Sequence, residues 1–231
     1  MSAPAASPRR GRPPAASRED VLDAAMGRYL RGSRIDVQAL AAELGLGRAT
    51  IYRWFGSRED LIGEVVARAG EPLIRQARAS ARGSGAQALV EAFDQINRGL
   101  AGSTALRRYV EQERKAALRV LTSESGKVQP RMVAMITELI ADEVDAGRYE
   151  APVDPATLGY AVVRLAEAFL YSDAIAGMRG DVDRLIEVEA ALMGLSPPPV
   201  PAKGRALRAQ ADGARRGTPP AGGRRSGQAI R

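Results

Sequence analysis

The sequence predicts an all-α protein, and two observations support this fold class. Apolar side chains recur every three or four residues through almost all of residues 17–195, which is typical of amphipathic helices. The same stretch shows no convincing alternation of apolar and polar residues, the pattern expected of strands. With 231 residues, of which 45% are hydrophobic, the chain is long enough to bury a substantial core.

Three short helices are predicted at the N-terminal end of this stretch, between residues 17 and 32, over Val37–Leu44 and over Arg48–Trp54. Ser17 and Asp36 are good capping residues for the first two helices, and Gly45 can adopt the left-handed conformation that ends the second. Gly47 can start the third helix, although it caps less well than Ser or Asn. Two short helices around a tight glycine turn indicate a helix-turn-helix unit.

A long fourth helix is predicted to start at Ser57, and Pro72 should kink or interrupt it near Gly70. Five further helices are predicted after a glycine-rich junction, over about 86–101, 104–122, 128–146, 155–178 and 181–194. The predicted organisation is a disordered basic arm over 1–16, a helix-turn-helix domain over 17–62, a helical domain over 63–195 and a disordered basic tail over 196–231.

Basic residues are concentrated at the two ends of the chain, whose net charge is +7. Residues 1–16 carry three arginines and no acid, and residues 196–231 carry eight basic residues and one acid. Both segments are too poor in large apolar groups to offset the entropy of ordering. Flexible basic segments raise affinity for a polyanion such as nucleic acid, although solubility alone would also explain the tail.

The third helix offers polar side chains to DNA if Ile51 and Phe55, which are four residues apart, face inward. The remaining outward set is Arg48, Ala49, Thr50, Tyr52 and Arg53. A helix fits the major groove, where arginine can donate two hydrogen bonds to guanine and a methyl group can contact thymine. Hydroxyl groups suit phosphate oxygens. The sequence therefore predicts a DNA-binding surface on this helix.

Several other classes of function are excluded by composition. The chain has no cysteine and no histidine, which removes disulfides, thiol nucleophiles, histidine-dependent triads and the usual zinc sites. The sequence also lacks a glycine-rich phosphate loop and a spaced set of metal ligands, which disfavours an enzyme that uses paired carboxylates. We expect a cytoplasmic protein with no catalytic residues, cofactor or metal, and no apolar run is long enough to cross a membrane.

Residues 17–66 resemble the DNA-binding domain of the tetracycline-repressor-like (TetR) family. The resemblance lies in the run Val37–Leu46 and in the run Thr50–Leu61, which includes Tyr-Arg-Trp-Phe-Gly. It implies a homodimeric transcriptional regulator whose C-terminal helices bind a ligand and form the dimer. The rest of the chain resembles the family only in its helical architecture.

The resemblance also implies roles for individual residues. Thr50, Tyr52 and Arg58 match phosphate-contacting positions. Arg48, Ala49 and Arg53 match recognition-helix positions that meet bases, and Gln38 matches a position at the groove edge. Two residues depart from the family pattern, because Gly47 replaces a polar cap and Trp54 stands where His or Tyr is usual. Whether Trp54 contacts DNA or packs inward is left open.

The segment 155–178 is the most apolar of the predicted helices, so it needs cover on two sides. It could be a buried central helix, or it could pair with a second copy of itself. Because a helix-turn-helix unit precedes it, we favour pairing, with 181–194 completing a symmetric four-helix interface. Two-fold symmetry then predicts an operator with an inverted repeat.

A ligand pocket is expected among the helices of residues 86–178. The candidate wall residues are Phe93, Ile96, Tyr109, Met132, Met135 and Phe169. Glu111 and Glu167 are candidate polar anchors. Residues 142–149, which precede a proline-containing break, are similar to regulators of quorum-sensing-signal and lactone degradation within the family. That similarity implies a lactone or acyl ligand.

Two functions remain as hypotheses. The first is a repressor that binds an inverted-repeat operator as a homodimer and is released by a small apolar effector. The second is a DNA-binding or architectural protein that responds to no effector and uses its basic tails. Sequence-dependent affinity that is lost on changing Arg48 or Tyr52 would favour the first hypothesis.

Overall fold

The computed structural model describes residues 16–172 and 181–195, and within them every regular element is helical. The elements are α1 (Arg18–Leu30), α2 (Val37–Glu43), α3 (Arg48–Phe55), α4 (Arg58–Ser80), α5 (Gly85–Gly102), α6 (Thr104–Gln112), α7 (Arg114–Thr122), α8 (Gln129–Asp145), α9 (Pro155–Glu167), a π-helical segment (Ala168–Ser172) and α10 (Val182–Leu192). The prediction of an all-α fold is therefore confirmed. The predicted arm up to Ala15, the predicted helix end over 173–178 and the predicted tail over 196–231 lie outside the described residues.

The capping residues predicted for the first helices make the expected hydrogen bonds. Ser17 and Asp20 form a capping box at the start of α1, in which each side chain accepts from the other residue's backbone N–H. The Asp36 carboxylate accepts from the backbone N–H of Ala39 at 2.9 Å and starts α2. These local signals fix where the first helices begin.

Helix α4 runs without interruption to Ser80, so of the two effects predicted for Pro72, a kink or an interruption near Gly70, the interruption does not occur. Pro72 is exposed, whereas Ile74 and Ala77, which follow it, are buried in the core. Burial of these two side chains keeps the last turns helical although the proline removes one backbone hydrogen bond.

The single helix predicted over 104–122 is wrong, because the chain forms two helices that meet at Glu113. The backbone of Glu113 has φ −135° and ψ 44°, which is not helical. Its carboxylate is bound by the guanidinium of Arg58 on α4, at 2.6 and 2.7 Å. The break between the two helices therefore coincides with a hydrogen bond to a distant residue. The spacing of apolar residues along the chain does not predict such a contact.

Two groups of buried side chains hold the helices together. The N-terminal core joins α1–α4 with α6 and α7, and it includes Leu40 and Leu61. The C-terminal core joins α4, α5, α8 and α9 with the residue that follows α10, and it includes Phe93 and Ile140. Helix α4 supplies residues to both cores. Among the described residues, the helices are too short or too polar to span a bilayer.

Helices α8 and α9 pack closely because Gly159 has no side chain. A Cβ atom at this position would lie 2.5 Å from Thr137 Oγ1 and 3.0 Å from the backbone nitrogen of Thr137. By contrast, a Cβ atom at Gly70, within α4, would lie at an ordinary distance of 3.9 Å from Met132 Sδ. An added methyl group would therefore clash with Thr137 at Gly159, whereas it would fit at Gly70.

Gly159→Ala should lower the free energy of unfolding of the protein, because the new methyl group would force α8 and α9 apart. We expect a loss of about 1 to 3 kcal/mol in the free energy of unfolding, measured by chemical denaturation followed by circular dichroism. Gly70→Ala is the matched control, and it should be neutral or stabilising because alanine favours the helix. Equal effects of the two substitutions would contradict the close packing.

Candidate nucleic-acid interface and ligand cavity

Helix α3 has one buried face and one exposed face. Ile51 and Phe55 are buried in the N-terminal core, as their spacing predicts. Arg48, Ala49 and Arg53 are exposed on the other side. Tyr52 is also exposed, at 44%, which is unusual for a large aromatic side chain. The orientation of α3 therefore leaves the predicted polar set open to a partner.

The turn before α3 fixes the angle between the two short helices. Gly45 has φ 66°, and the N–H of Leu46 donates to the carbonyl oxygen of Ala41 at 2.9 Å. The side chain of Leu46 is partly buried against the N-terminal core. Gly47 starts α3 without a side-chain cap, as its lack of a side chain requires. This arrangement is the helix-turn-helix geometry that the sequence predicts.

The guanidinium groups of Arg48 and Arg53 are available for an anionic partner, since neither forms an ion pair with a described residue. In the same unit, Arg28 pairs with Glu43 at 2.6 Å. Gln38 is exposed on α2 and Thr50 is partly exposed. Acidic side chains thus pair with several other arginines of this unit, whereas the two of α3 have no ion pair with a described residue.

Trp54 is partly buried and packs against the N-terminal core. Trp54 therefore helps to hold α3 in place, and only the exposed part of its side chain is accessible to a partner. Arg18 of α1 lies over the ring of Phe55, with its guanidinium carbon 4.5 Å from the ring centre. Both contacts restrain the C-terminal end of α3.

The side chain of Arg58 faces the protein. Its Nε donates to the carbonyl oxygen of Ile35 at 2.8 Å, and its two terminal nitrogens donate to Glu113. The pKa of Glu113 lies below its usual range, because Arg58 donates hydrogen bonds to the carboxylate. Arg58 therefore ties the start of α4 to the break between α6 and α7, and a phosphate could reach it only if this pair opened.

Neighbouring residues of α6 extend this contact. The amide of Gln112 donates to the carbonyl oxygen of Gly32 at 3.0 Å, and Arg108 donates to the carbonyl oxygen of Arg31 at 3.1 Å. We call Arg58, Arg108, Gln112 and Glu113 the polar latch. It joins α6 to the segment between α1 and α2, and so to the helix-turn-helix unit.

An apolar cavity of about 50 Å³ lies inside the helical domain. It is lined by residues of α4, α5, α7, α8 and α9, by the π-helical segment and by α10. Three of the predicted wall residues, Phe93, Ile96 and Met132, line it. The other three do not: Tyr109 packs edge-on against Tyr29 in the N-terminal core, and Met135 and Phe169 lie outside the lining.

Of the two predicted polar anchors, Glu167 lines the cavity, whereas Glu111 is exposed on α6. Sequence reasoning missed Asn97 and Glu189, which also line the cavity. The sequence position of Glu189 could have identified it, because this residue lies four residues after the buried Leu185 on an otherwise apolar stripe. A charged residue within such a stripe indicates a specific polar contact or a ligand.

Two family models match the chain. The model of bacterial regulatory proteins of the tetR family matches residues 33–65, and that of the tetracyclin repressor-like C-terminal domain matches residues 84–194. The first match includes the helix-turn-helix described above, and the second includes the helices around the cavity except α4. No curated protein matches the chain.

Among solved structures, the chain is similar to the R. erythropolis transcriptional repressor QsdR from the TetR family, with 29% identity and a TM-score of 0.75. The alignment covers 80% of this chain and 97% of that chain. It is also similar to the TetR family repressor AlkX from Dietzia sp. strain DQ12-45-1b, with 22% identity and a TM-score of 0.51. That alignment covers 78% of this chain and 92% of the other.

Glu113→Gln should destabilise the protein at neutral pH, because a neutral amide loses the charge attraction to the Arg58 guanidinium and keeps only one oxygen that can accept from it. We expect a loss of about 1 to 2 kcal/mol in the free energy of unfolding. The folded-state pKa of Glu113 is lowered from 4.5, so the contribution is complete above that pH and is lost as the pH falls through the folded pKa. The difference from wild type should therefore shrink in denaturation curves recorded below pH 4.5.

Glu111→Gln, two residues earlier and exposed, is the control and should change stability little at any pH. A Glu113→Gln protein as stable as wild type at pH 7 would show that the pair contributes nothing to folding.

Proposed function

The chain belongs to the TetR family of bacterial regulatory proteins, and we propose that it is a repressor that binds an inverted-repeat operator as a homodimer and is released by a small effector. It is a DNA-binding transcriptional regulator with a helix-turn-helix unit. The observation that carries the proposal is the exposed face of α3, where Arg48 and Arg53 have no acidic partner among the described residues.

Each polar group of this surface has a proposed role. Arg48, Ala49 and Arg53 would meet base edges in the major groove, where the two arginines can recognise guanine. Thr50 and Tyr52 would donate to phosphates and fix the register of the helix. Gln38 of α2 would contact the groove edge. Arg58 is left out of this set because its nitrogens bind Ile35 and Glu113.

The homodimer is supported by the outer faces of α9 and α10. Tyr160 and Val188 are each 41% exposed, and Leu165 and Phe169 are only partly covered. An isologous interface that buries these side chains on both copies would form the four-helix arrangement predicted above. Two-fold symmetry would then present two copies of α3, which need a separation of about 34 Å, one turn of DNA, to meet the two halves of an inverted repeat.

Release by an effector is supported by the position of α4. Its first residue, Arg58, belongs to the polar latch, and Ile74, more than four turns later, lines the cavity. A ligand much larger than about 50 Å³ would require the side chains or helices around the cavity to move apart. Movement of α4 would then change the separation of the two recognition helices. We propose no enzymatic activity for the cavity.

A differential affinity of a few kcal/mol between two conformations is enough for such release, because occupancy of the operator shifts with the population of the binding conformation. The effector would be small and largely apolar, in keeping with the lining of the cavity. A location in the cytoplasm, where DNA and metabolites are both accessible, fits this proposal.

Arg48→Ala and Arg53→Ala should each weaken binding to the operator by about 10- to 100-fold, since each removes a base contact. The operator is first identified by selecting bound duplexes from genomic DNA, and affinities are then measured by fluorescence anisotropy at fixed salt. Arg82→Ala removes the same charge beyond the far end of α4, at an exposed site, and should change affinity little.

Two results would contradict the proposal. One is an equal, small effect of all three substitutions. The other is affinity that ignores DNA sequence and disappears when residues 196–231 are removed, which is the behaviour expected of an architectural protein that binds through its tail.

Removal of residues 1–16 should lower operator affinity and flatten its salt dependence, because Arg9, Arg10 and Arg12 would no longer displace counterions. The slope of log K against log salt should fall by about one for each arginine that contacts a phosphate. Replacing the three arginines with glutamine should reproduce the effect at full length. An unchanged slope would exclude a role for this arm in DNA binding.

A further inference from the structure

The polar groups that line the cavity are acidic or neutral. They are Asn97, Glu167, Tyr171 and Glu189, while the remaining lining side chains are apolar. No lysine or arginine belongs to the lining formed by the described residues. Two carboxyl groups thus face one apolar space without a basic residue in it. This composition differs from that expected of a site for a purely apolar molecule. The two carboxyl groups would also disfavour binding of an anion.

Glu189 is fully buried, at 0% exposure, and has only a neutral partner. The amide nitrogen of Asn97 donates to its two oxygens at 2.9 and 3.2 Å. Burial raises the pKa of Glu189 to about 8, and the negative charge of Asp94, a residue of α5 like Asn97, disfavours ionisation further. Among the described residues Glu189 has no counter-ion, and burial of an ionised carboxyl group without one is unfavourable.

Glu167 is also buried, at 7% exposure, and one of its oxygens has no hydrogen-bond partner among the described residues. Its Oε2 accepts from Arg164 at 2.8 Å, whereas its Oε1 is buried without a hydrogen bond. Arg164 is an exposed residue of α9 and lies outside the cavity lining. A buried oxygen without a hydrogen bond destabilises the fold, so its presence beside a cavity points to a donor from a ligand.

We propose that the cavity binds an apolar organic cation, whose ammonium group lies against Glu167 and Glu189 and whose hydrocarbon part lies against Phe93, Met132 and Val162. The proposal rests on the effector site of the preceding section and specifies the chemistry of its ligand. A cation supplies the hydrogen-bond donor that Glu167 Oε1 lacks. Its charge would also favour ionisation of Glu189, which burial otherwise keeps largely protonated near neutral pH. The face of the Phe93 aromatic ring, which borders the hydrocarbon part, would also attract the positive charge of the ligand.

A neutral carbonyl ligand, such as a lactone, finds no donor on Glu167 when this group is ionised. Burial raises the pKa of Glu167, whereas the charge and the hydrogen bond of the Arg164 guanidinium oppose that rise and favour the carboxylate. With the carboxylate, a carbonyl oxygen next to Glu167 Oε1 would place two acceptors together. An ammonium group meets no such conflict, because it carries donors only.

The proposal is tested by isothermal titration calorimetry of the 231-residue chain at pH 7.5 with three probes of eight carbons. Octylamine is cationic, γ-octalactone is neutral with a carbonyl group, and octanoate is anionic. We expect octylamine to bind at least about tenfold more tightly than γ-octalactone, and octanoate to bind more weakly than both. Equal affinities, tighter binding of the lactone or octanoate, or no binding of octylamine would each overturn the proposal.

Variants then locate the charge. Glu167→Gln and Glu189→Gln keep the shape of the side chain and should each lower octylamine affinity about tenfold while leaving γ-octalactone affinity within about twofold. Glu111→Gln, at the exposed site on α6, is the matched control and should change neither affinity. Thermal melts establish that each variant is folded. Octylamine binding that is unaffected in both cavity variants would show that it binds elsewhere.

Operator binding, measured in the same samples, separates this proposal from the proposed function. Selective octylamine binding without any change in operator affinity would confirm the cation site and refute release by a ligand of this cavity. Release of the operator by γ-octalactone but not by octylamine would confirm the effector site and overturn its proposed preference for cations.

Discussion

Burial of Ile51 and Phe55 is the interaction on which the DNA-binding surface depends. Helix α3 has eight residues and could not persist alone, because a helix this short does not recover the free energy lost in nucleation. Packing of these two side chains into the N-terminal core both stabilises the helix and sets its rotation. That rotation alone decides that Arg48 and Arg53 are exposed, so the same contact that folds the unit also creates its binding surface.

Helix α4 extends this dependence to the rest of the protein, since it contributes to both cores. Its N-terminal half holds α1 and α3 in place, and its C-terminal half borders the cavity near Ile74. Continuous helical structure through Pro72 makes it a stiff connection. The polar latch adds a second connection, through α6, whose hydrogen bonds can break without loss of the apolar core.

The sequence predicts best those features that depend on neighbours along the chain. The caps at Ser17 and Asp36, the turn at Gly45 and the inward face of α3 all follow from residues within one or two turns of each other. Features fixed by distant contacts were missed. The break at Glu113 involves Arg58, 55 residues away, and the buried pair of Asn97 and Glu189 spans 92 residues. Apolar periodicity also could not show that Tyr109 packs in the N-terminal core rather than beside the cavity.

If the cavity binds a cation as proposed, the buried acids would let that ligand shift the protein between two conformations. In the protein alone, burial is unfavourable for the charged form of Glu189 and for the Oε1 atom of Glu167, which has no hydrogen-bond partner among the described residues. A cation would remove that penalty, but only in a conformation open enough to admit it. Its binding free energy would then favour the open state selectively, which is the condition for a ligand to shift a conformational equilibrium. Carboxyl groups that reduce stability would in this way increase the response to the effector.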